Sequence, residues 1–269
     1  MNSQRTKSVL LTVIPSLVFC LSVSIAVWIY LWPPLTKDSV IILEYHQIAP
    51  VAEVDRDSRA YNVEPEEFAA QLDYLTAAGY HTITLQEYMR ARKGKFTLPD
   101  KPIVLTFDDG YTDNYTYMLP LIEERGMKAV VYMITNKIGT KDYLTWDKLR
   151  DMQRRGVEIG SHTANHLPLT SLPPDKQKDE VALSKLLMEW NGINTVFSLS
   201  YPNGAYDESL PGLLQAEEYL NAVTGEPGLN TTETNPYLLK RVNIPAPHFG
   251  LTEFKFRLFK AELFYNLGL

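Results

Sequence analysis

Cysteine is almost missing from this chain: its 269 residues include one, Cys20, inside an apolar leader. A disulfide framework and a Cys-based zinc site are therefore both excluded, and any metal must be held by His and carboxylate. An excess of cations is missing too. Lys and Arg number 26 against 32 Asp and Glu, a formal charge of -6, which repels a phosphate backbone and argues against nucleic acid as a partner. No internal repeat divides the sequence. Aromatics are plentiful, with 16 Tyr and 4 Trp; such rings stack on sugar faces, although packing is their commoner role. Beyond the leader about 230 residues remain, a size that suits one large α/β core.

Residues 8–32 carry no charge, and a helix of that length, rising about 1.5 Å per residue, exceeds a hydrocarbon core of about 30 Å. Arg5 and Lys7 precede the run, which places the short N-terminus in the cytoplasm and everything after Pro33-Pro34 outside. The expectation is a single-pass membrane anchor, with residues 1–36 as tail, anchor and linker and residues 37–269 as an extracytoplasmic domain. A cleaved signal peptide is the competing reading, but cutting after Ser24 or Ala26 would leave an apolar stub. A lipoprotein fits less well, because Phe19 precedes Cys20 where a small residue is required.

After the leader, short apolar runs alternate with helical patterns. The run Val40 to Tyr45 reads as a strand; Pro65 opens a helix with Phe68, Leu72 and Leu75 on one face, and Gly79 closes it. His81 to Leu85 reads as a strand, Gln86 to Lys93 as a helix, and Ile103 to Phe107 as a buried strand ending abruptly in Asp108-Asp109-Gly110. Helices near Asn114 to Arg125 and Thr145 to Arg155 flank a strand from Lys128 to Thr135. Strand Val157 to Gly160 is followed by a helix that aligns Leu183, Leu186, Leu187 and Trp190. Strands near Val196 to Tyr201 and Ala222 to Thr224 come next, and a last helix sets Phe254, Leu258 and Phe259 on one side. Such alternation implies a parallel sheet, either a barrel, complete or incomplete, or an open doubly wound sheet.

In parallel α/β folds reactive residues gather where strands end. Three segments qualify: Tyr45-His46, Asp108-Asp109 and Ser161-His162-Thr163-Ala164-Asn165-His166. His162 and His166 are four apart, so one helical turn would bring both imidazoles to one side, as paired metal ligands require. A carboxylate must complete the set. Of the adjacent Asp108 and Asp109, one can bind metal while the other faces a water. Two nitrogens and one oxygen leave an open position, the pattern of a catalytic zinc site. Each piece alone has a plainer explanation, a turn for Asp-Asp-Gly and a solvated helix face for the His pair. His81 begins a strand without a ligand-like neighbour and reads as structural.

The segments Thr106-Phe107-Asp108-Asp109-Gly110 and Ser161 to His166, followed by Tyr201-Pro202-Asn203-Gly204, resemble the polysaccharide deacetylase family with its NodB-like domain. The match extends from about Ile41 to Arg241, and Tyr45-His46 near the domain start is similar to the branch of poly-N-acetylglucosamine deacetylases. The resemblance implies an irregular or incomplete seven-stranded (β/α) barrel, which the apolar run at residues 8–32 would precede as one transmembrane helix. It also implies a divalent metal, most simply zinc, on Asp109, His162 and His166, with Asp108 as general base and His46 as general acid. Tyr201 and Asn203 fall in the third motif, as oxyanion and substrate-binding residues. The implied partner is an N-acetylated polysaccharide outside the membrane, of poly-N-acetylglucosamine, peptidoglycan or chitin type, from which acetate is released. Two departures stand out: Ser200 occupies the place of an Arg that braces the base, and Asn203 that of a Tyr. They motivate a rival reading, a catalytically silent glycan-binding protein. Arg241 is a substitute brace or a plain surface residue, and His248 reads as a loop residue because its flanks do not fit the family's late His motif.

Overall fold

The computed structural model describes residues 18–24 and 39–267. The anchor expected over residues 8–32 therefore lies mostly outside the described residues. Among those described, 18–24 are helical, and no helix is long and apolar enough to cross a membrane.

The centre of the fold follows from two runs that are buried along their whole length, β1 (Ile41–Tyr45) and β5 (Pro102–Phe107). Runs apolar on both faces belong inside a parallel sheet covered by helices. Between them in sequence lie two short strands that pair with each other, β2 (Gln47–Ile48) and β3 (Asn62–Val63), and β4 (His81–Thr82). The later strands are β6 (Val130–Met133), β7 (Glu158–Ser161), β8 (Ser198–Ser200), β9 (Asn221–Val223) and β10 (Val242–Asn243). The main sheet runs β10-β1-β5-β6-β7-β8-β9, all parallel, with β4 as an eighth strand beside β5. Leu239 bridges Val223 at one end of this path while Val242 pairs with Leu43 at the other. The sheet is therefore curled, as an irregular (β/α) barrel requires.

Register is what makes the site. Tyr45 pairs with Phe107, so the next residues, His46 and Asp108, leave the sheet side by side, and Asp108 N donates to Tyr45 O at 2.9 Å. In the same way Met133 pairs with Ser161, and His162 N donates to Met133 O at 2.9 Å. Alternation along β1 and β5 puts Ile41, Leu43, Tyr45, Ile103, Leu105 and Phe107 into the larger core cluster, and Ile42 and Val104 into the smaller. Glu44, Thr106 and Asp108 share the parity of that smaller cluster, so the inner face turns polar towards the strand ends.

Helix α1 (Pro65–Ala77) buries Phe68, Leu72 and Leu75 as expected. Helix α2 (Leu85–Arg92) starts from a Thr84/Glu87 capping box, which claims Leu85 for the helix rather than for the preceding strand. A π-helical turn at Asn114–Met118 leads into α3 (Leu119–Glu124), and α4 (Trp146–Arg154) is capped by Thr145. Helix α5 (Pro174–Trp190) departs from the face that its leucines suggest. It buries Gln177, Glu180, Val181, Ser184 and Met188, while Leu183, Leu186 and Trp190 are 55%, 57% and 82% exposed. The reason is local: Glu180 receives hydrogen bonds from Asn165 N and Nδ2 at 2.8 and 2.6 Å, and Ser184 bonds Ser161 and Thr135. The helix thus gives its polar stripe to the His162–His166 loop. After α6 (Leu210–Ala216), α7 (Gly250–Leu267) buries Phe254, Leu258 and Ala261; Phe259, expected on that side, is 39% exposed.

At the opposite end of the strands, Glu158 Oε2 accepts Gln86 N at 3.0 Å, and Oε1 has no hydrogen-bond partner among the described residues. Burial pushes this carboxyl up to about 7. A carboxyl raised above its unfolded value of about 4.3 destabilises the fold increasingly as pH rises from that value through the folded one. Glu158→Gln should therefore raise the unfolding free energy by on the order of 1–3 kcal/mol at pH 8. At pH 4 it should make no difference. Melting temperatures of both proteins across that range check it.

Candidate active site

Asp108 and Asp109 sit where β5 ends. Asp109 takes φ +72, and Gly110 takes φ +78 with Met133 Sδ only 2.1 Å from where a Cβ would stand. The Asp-Asp-Gly turn thus needs its glycine twice, for dihedral and for space. It swings the two carboxylates apart, one inward and one towards β7.

His162 and His166 are not joined by a helical turn. Residues 162–168 form a loop in which Thr163 and His166 take φ +64 and +61. Thr163 N donates to Ser161 Oγ and His166 N to Thr163 Oγ1, each at 3.1 Å. Short side-chain bonds of this kind substitute for the helical ladder. The i, i+4 spacing still brings the rings together, with centroids 4.6 Å apart. Left-handed backbone at Asp109, Thr163, His166 and also Asn203, φ +57, concentrates strain around one point, a common mark of a functional site.

Asp109 Oδ1 lies 3.6 Å from both His162 Nε2 and His166 Nε2, and the three offer one clustered set of ligand atoms. Ligands about 2.0–2.1 Å from a tetrahedral zinc stand about 3.3–3.4 Å from one another, so the set fits with little adjustment. The donor chemistry agrees. His162 Nδ1 is 2.8 Å from Ser200 O; a carbonyl only accepts, so Nδ1 carries the proton and Nε2 presents its lone pair. Burial pushes the His162 imidazole below its ordinary value, against the pull of the Asp108 and Asp109 carboxylates, which favours the neutral, ligating form.

Asp108 is held differently. Arg241, only 2% exposed, binds it bidentately, Nη1 to Oδ1 and Nη2 to Oδ2, each at 2.8 Å. The remaining guanidinium protons go to Thr224 O at 2.9 Å, Ser200 Oγ at 3.2 Å and Thr106 Oγ1 at 3.3 Å. All five donors are used. Burial alone would raise the Asp108 carboxyl, but Arg241 and then His162 overcome it and hold it well below the usual carboxylate range. Of the two readings of Arg241, the surface residue is thus excluded. Ser200 leaves the Arg position of its own motif and joins the network, donating to Asp108 Oδ2 at 3.0 Å.

Glu44, His46 and Asp108 form a second clustered trio. Arg241 Nε stands 3.4 Å from Glu44 Oε2, so the guanidinium already serves both carboxylates and a cation there would meet its charge. Sequence reasoning missed Glu44, whose signal was a carboxylate two residues before His46 on the same face of a buried strand. The His46 ring is half-buried and lies 5.0 Å from that of Tyr61. Tyr201 is wholly buried and its N–H is bound by Val223 O at 3.1 Å, which leaves Asn203 as the oxyanion candidate of the pair. His81 is exposed and bonds Asp100 O at 2.8 Å; His248 is exposed in a loop. Neither belongs to a clustered set of ligand atoms among the described residues.

Comparison with known proteins agrees with this geometry. Residues 95–222 match the family model described as polysaccharide deacetylase. YxkH of Bacillus subtilis, which carries a polysaccharide deacetylase name, is 35% identical over 203 residues, 76% of this chain and 70% of that protein. The poly-beta-1,6-N-acetyl-D-glucosamine N-deacetylase of Escherichia coli strain K12 is 28% identical over 150 residues, 50% of this chain but 21% of that enzyme. Among solved structures, the Streptococcus pyogenes deacetylase PplD in complex with acetate superposes with a TM-score of 0.75 at 25% identity, covering 84% of this chain and 99% of that one.

Proposed function

Because the chain belongs to the polysaccharide deacetylase family, we propose that it hydrolyses acetamide groups on an N-acetylated polysaccharide, with a divalent metal, zinc, held by Asp109, His162 and His166. The observation that carries this reading is the clustering of those three ligands beside a carboxylate that is braced yet not itself one of them. Poly-β-1,6-N-acetylglucosamine is the favoured substrate, on the Escherichia coli relative and on Tyr45-His46. The charge-free run at residues 8–32 supports a domain anchored outside the cytoplasmic membrane.

A bound divalent ion would polarise the acetamide carbonyl and acidify a water. The chain's residues do the rest. Asp108, fixed by the Arg241 fork with a lone pair on Oδ1 to spare, accepts the proton of the attacking water. The backbone N–H of Asn203 stabilises the developing oxyanion, a role that needs no particular side chain. His46 hands a proton to the departing amine, which would otherwise leave as a poor anion. Acetate and a free amino sugar result. The silent-binder reading was motivated by Ser200 and Asn203; the Arg241 fork on Asp108 answers the first departure, and the intact Asp and His set argues against it.

Acetate release from β-1,6-linked N-acetylglucosamine oligomers tests the proposal. Activity should vanish after chelation and return with added zinc. Release that is indifferent to a chelator that strips the protein of metal would sink the metal-dependent mechanism.

A further inference from the structure

Of the tyrosines among the described residues, Tyr61 alone is exposed, at 50%. The others that reach the surface are tied down by their hydroxyls: Tyr80 donates to Glu262 at 2.7 Å, Tyr115 to Asp151 at 3.0 Å and Tyr206 to Glu226 at 2.6 Å. The Tyr61 hydroxyl makes no hydrogen bond to any described residue. Its ring instead stands beside the proposed general acid, 5.0 Å from the His46 ring between centroids, with the planes at 46°.

Exposure does not leave this residue loose. On one side Ala60 O accepts Ala246 N at 3.0 Å. On the other, Asn62 pairs with Gln47, and its side chain closes the loop by accepting Ala49 N at 3.0 Å and donating to Ala49 O at 2.9 Å. The backbone is pinned before and after Tyr61, so the ring has little freedom left to lose when a ligand covers it.

Its place names the ligand. Asp108 Oδ2 lies 3.8 Å from His162 Nε2, and the ligand atoms of Asp108 and His46 lie within 4.8 Å of each other. Ala246, which holds Ala60, follows β10, and β10 flanks β1 on the side away from β5. The order is therefore Asp109 with its two imidazoles, then Asp108, then His46, then Tyr61. An acetamide laid along that line turns its carbonyl towards Asp109, His162 and His166 and its nitrogen towards His46, which puts the ring bearing that nitrogen over Tyr61. A pyranose offers an apolar C–H face that suits an aromatic plane, and its hydroxyl edges stay in water.

We propose that Tyr61 is the platform on which the sugar ring carrying the scissile acetamide stacks, a residue that determines specificity for sugar-borne acetamides. The proposal rests on the deacetylase reading above. Because hydrolysis changes the acetamide and not the ring, stacking is equal in ground and transition states and belongs to KM rather than to kcat. A tyrosine that merely propped His46 would act on kcat.

Kinetics and calorimetry on the full chain with a β-1,6-linked N-acetylglucosamine pentamer test it. Tyr61→Ala should raise KM about tenfold and hold kcat within about twofold. Tyr61→Phe, which keeps the flat face, should match the wild type. Neither should change melting, since the side chain is exposed. In calorimetry the Asp108→Asn protein binds the pentamer without consuming it, and adding Tyr61→Ala should weaken that binding by the same factor of about ten. A loss of kcat at unchanged KM, a Tyr61→Ala protein equal to the wild type in KM and in pentamer binding, or a Tyr61→Phe protein as impaired as Tyr61→Ala overturns the platform. Pentamer binding that depends on the Tyr61 ring, in a protein that releases no acetate as wild type, would instead sink the deacetylase reading and leave the platform standing.

Discussion

Asp108→Asn should keep its metal and lose turnover by on the order of 10²–10⁴, the usual worth of a positioned base, whereas Asp109→Ala should lose metal and turnover together. The two residues are adjacent, and their environments separate them. Asp109 stands 3.6 Å from each of two imidazole nitrogens and pairs with no arginine among the described residues. Asp108 has both oxygens engaged by Arg241 at 2.8 Å, and its nearer approach to His162 Nε2 is 3.8 Å. A carboxylate already holding a guanidinium is a poor metal ligand and a well-oriented base. The Asn variant should also melt earlier, because its NH2 group must face one Arg241 donor, which leaves a buried charge less well matched. Elemental analysis of purified protein, read beside acetate release, decides the assignment. Metal lost from Asp108→Asn and kept by Asp109→Ala would reverse the two roles.

Much of this site is legible in the sequence because it depends on strand ends, and strand ends are marked by composition. Ile103 to Phe107 stops at two carboxylates and Ile41 to Tyr45 at a histidine; once both runs are parallel and in register, His46 and Asp108 must emerge together. The His162–His166 spacing brought the rings together by a different backbone from the expected helical turn. Two left-handed residues and two side-chain bonds at Ser161 and Thr163 close the loop, and no periodicity announces them. Helix α5 misleads for a related reason. Its leucines share a face, yet Glu180 and Ser184 are needed inward to hold that loop, and a pattern of apolar spacing does not weigh a buried hydrogen-bond network. Arg241 was legible only as one of two readings, since 133 residues separate it from Asp108. Only the pairing of β10 with β1 brings it inside. Its one sequence signal was that it is a late arginine in a chain whose third motif lacks its own.

Arg241→Met should destabilise the metal-free protein by about 3–5 kcal/mol at neutral pH, the usual cost of removing one partner from a buried ion pair. Two carboxylates would be stranded rather than one, Asp108 and Glu44, both within reach of the same guanidinium. The effect has a pH signature whose sign is fixed by the pair. In the wild type Asp108 is held below its unfolded value of about 3.9, so its contribution is complete above that pH and is lost as pH falls towards the folded value. In the variant burial raises Asp108 without its largest counterweight, His162 and His46 alone opposing it, so the stabilisation that the charged carboxylate gives at neutral pH is lost. The gap between the two proteins should therefore be widest near pH 7.5 and narrow steadily towards pH 4, as read by urea unfolding in the presence of a chelator. Arg241→Lys should rescue little, because an ammonium cannot span Oδ1 and Oδ2 while also serving Thr224, Thr106 and Ser200. Adding Glu44→Gln to Arg241→Met should recover part of the loss by removing the second stranded charge. An Arg241→Met protein within about 1 kcal/mol of the wild type at pH 7.5, a change of ordinary single-mutation size, and still releasing acetate at a normal rate, would remove Arg241 from the brace and return the buried pair to a packing feature.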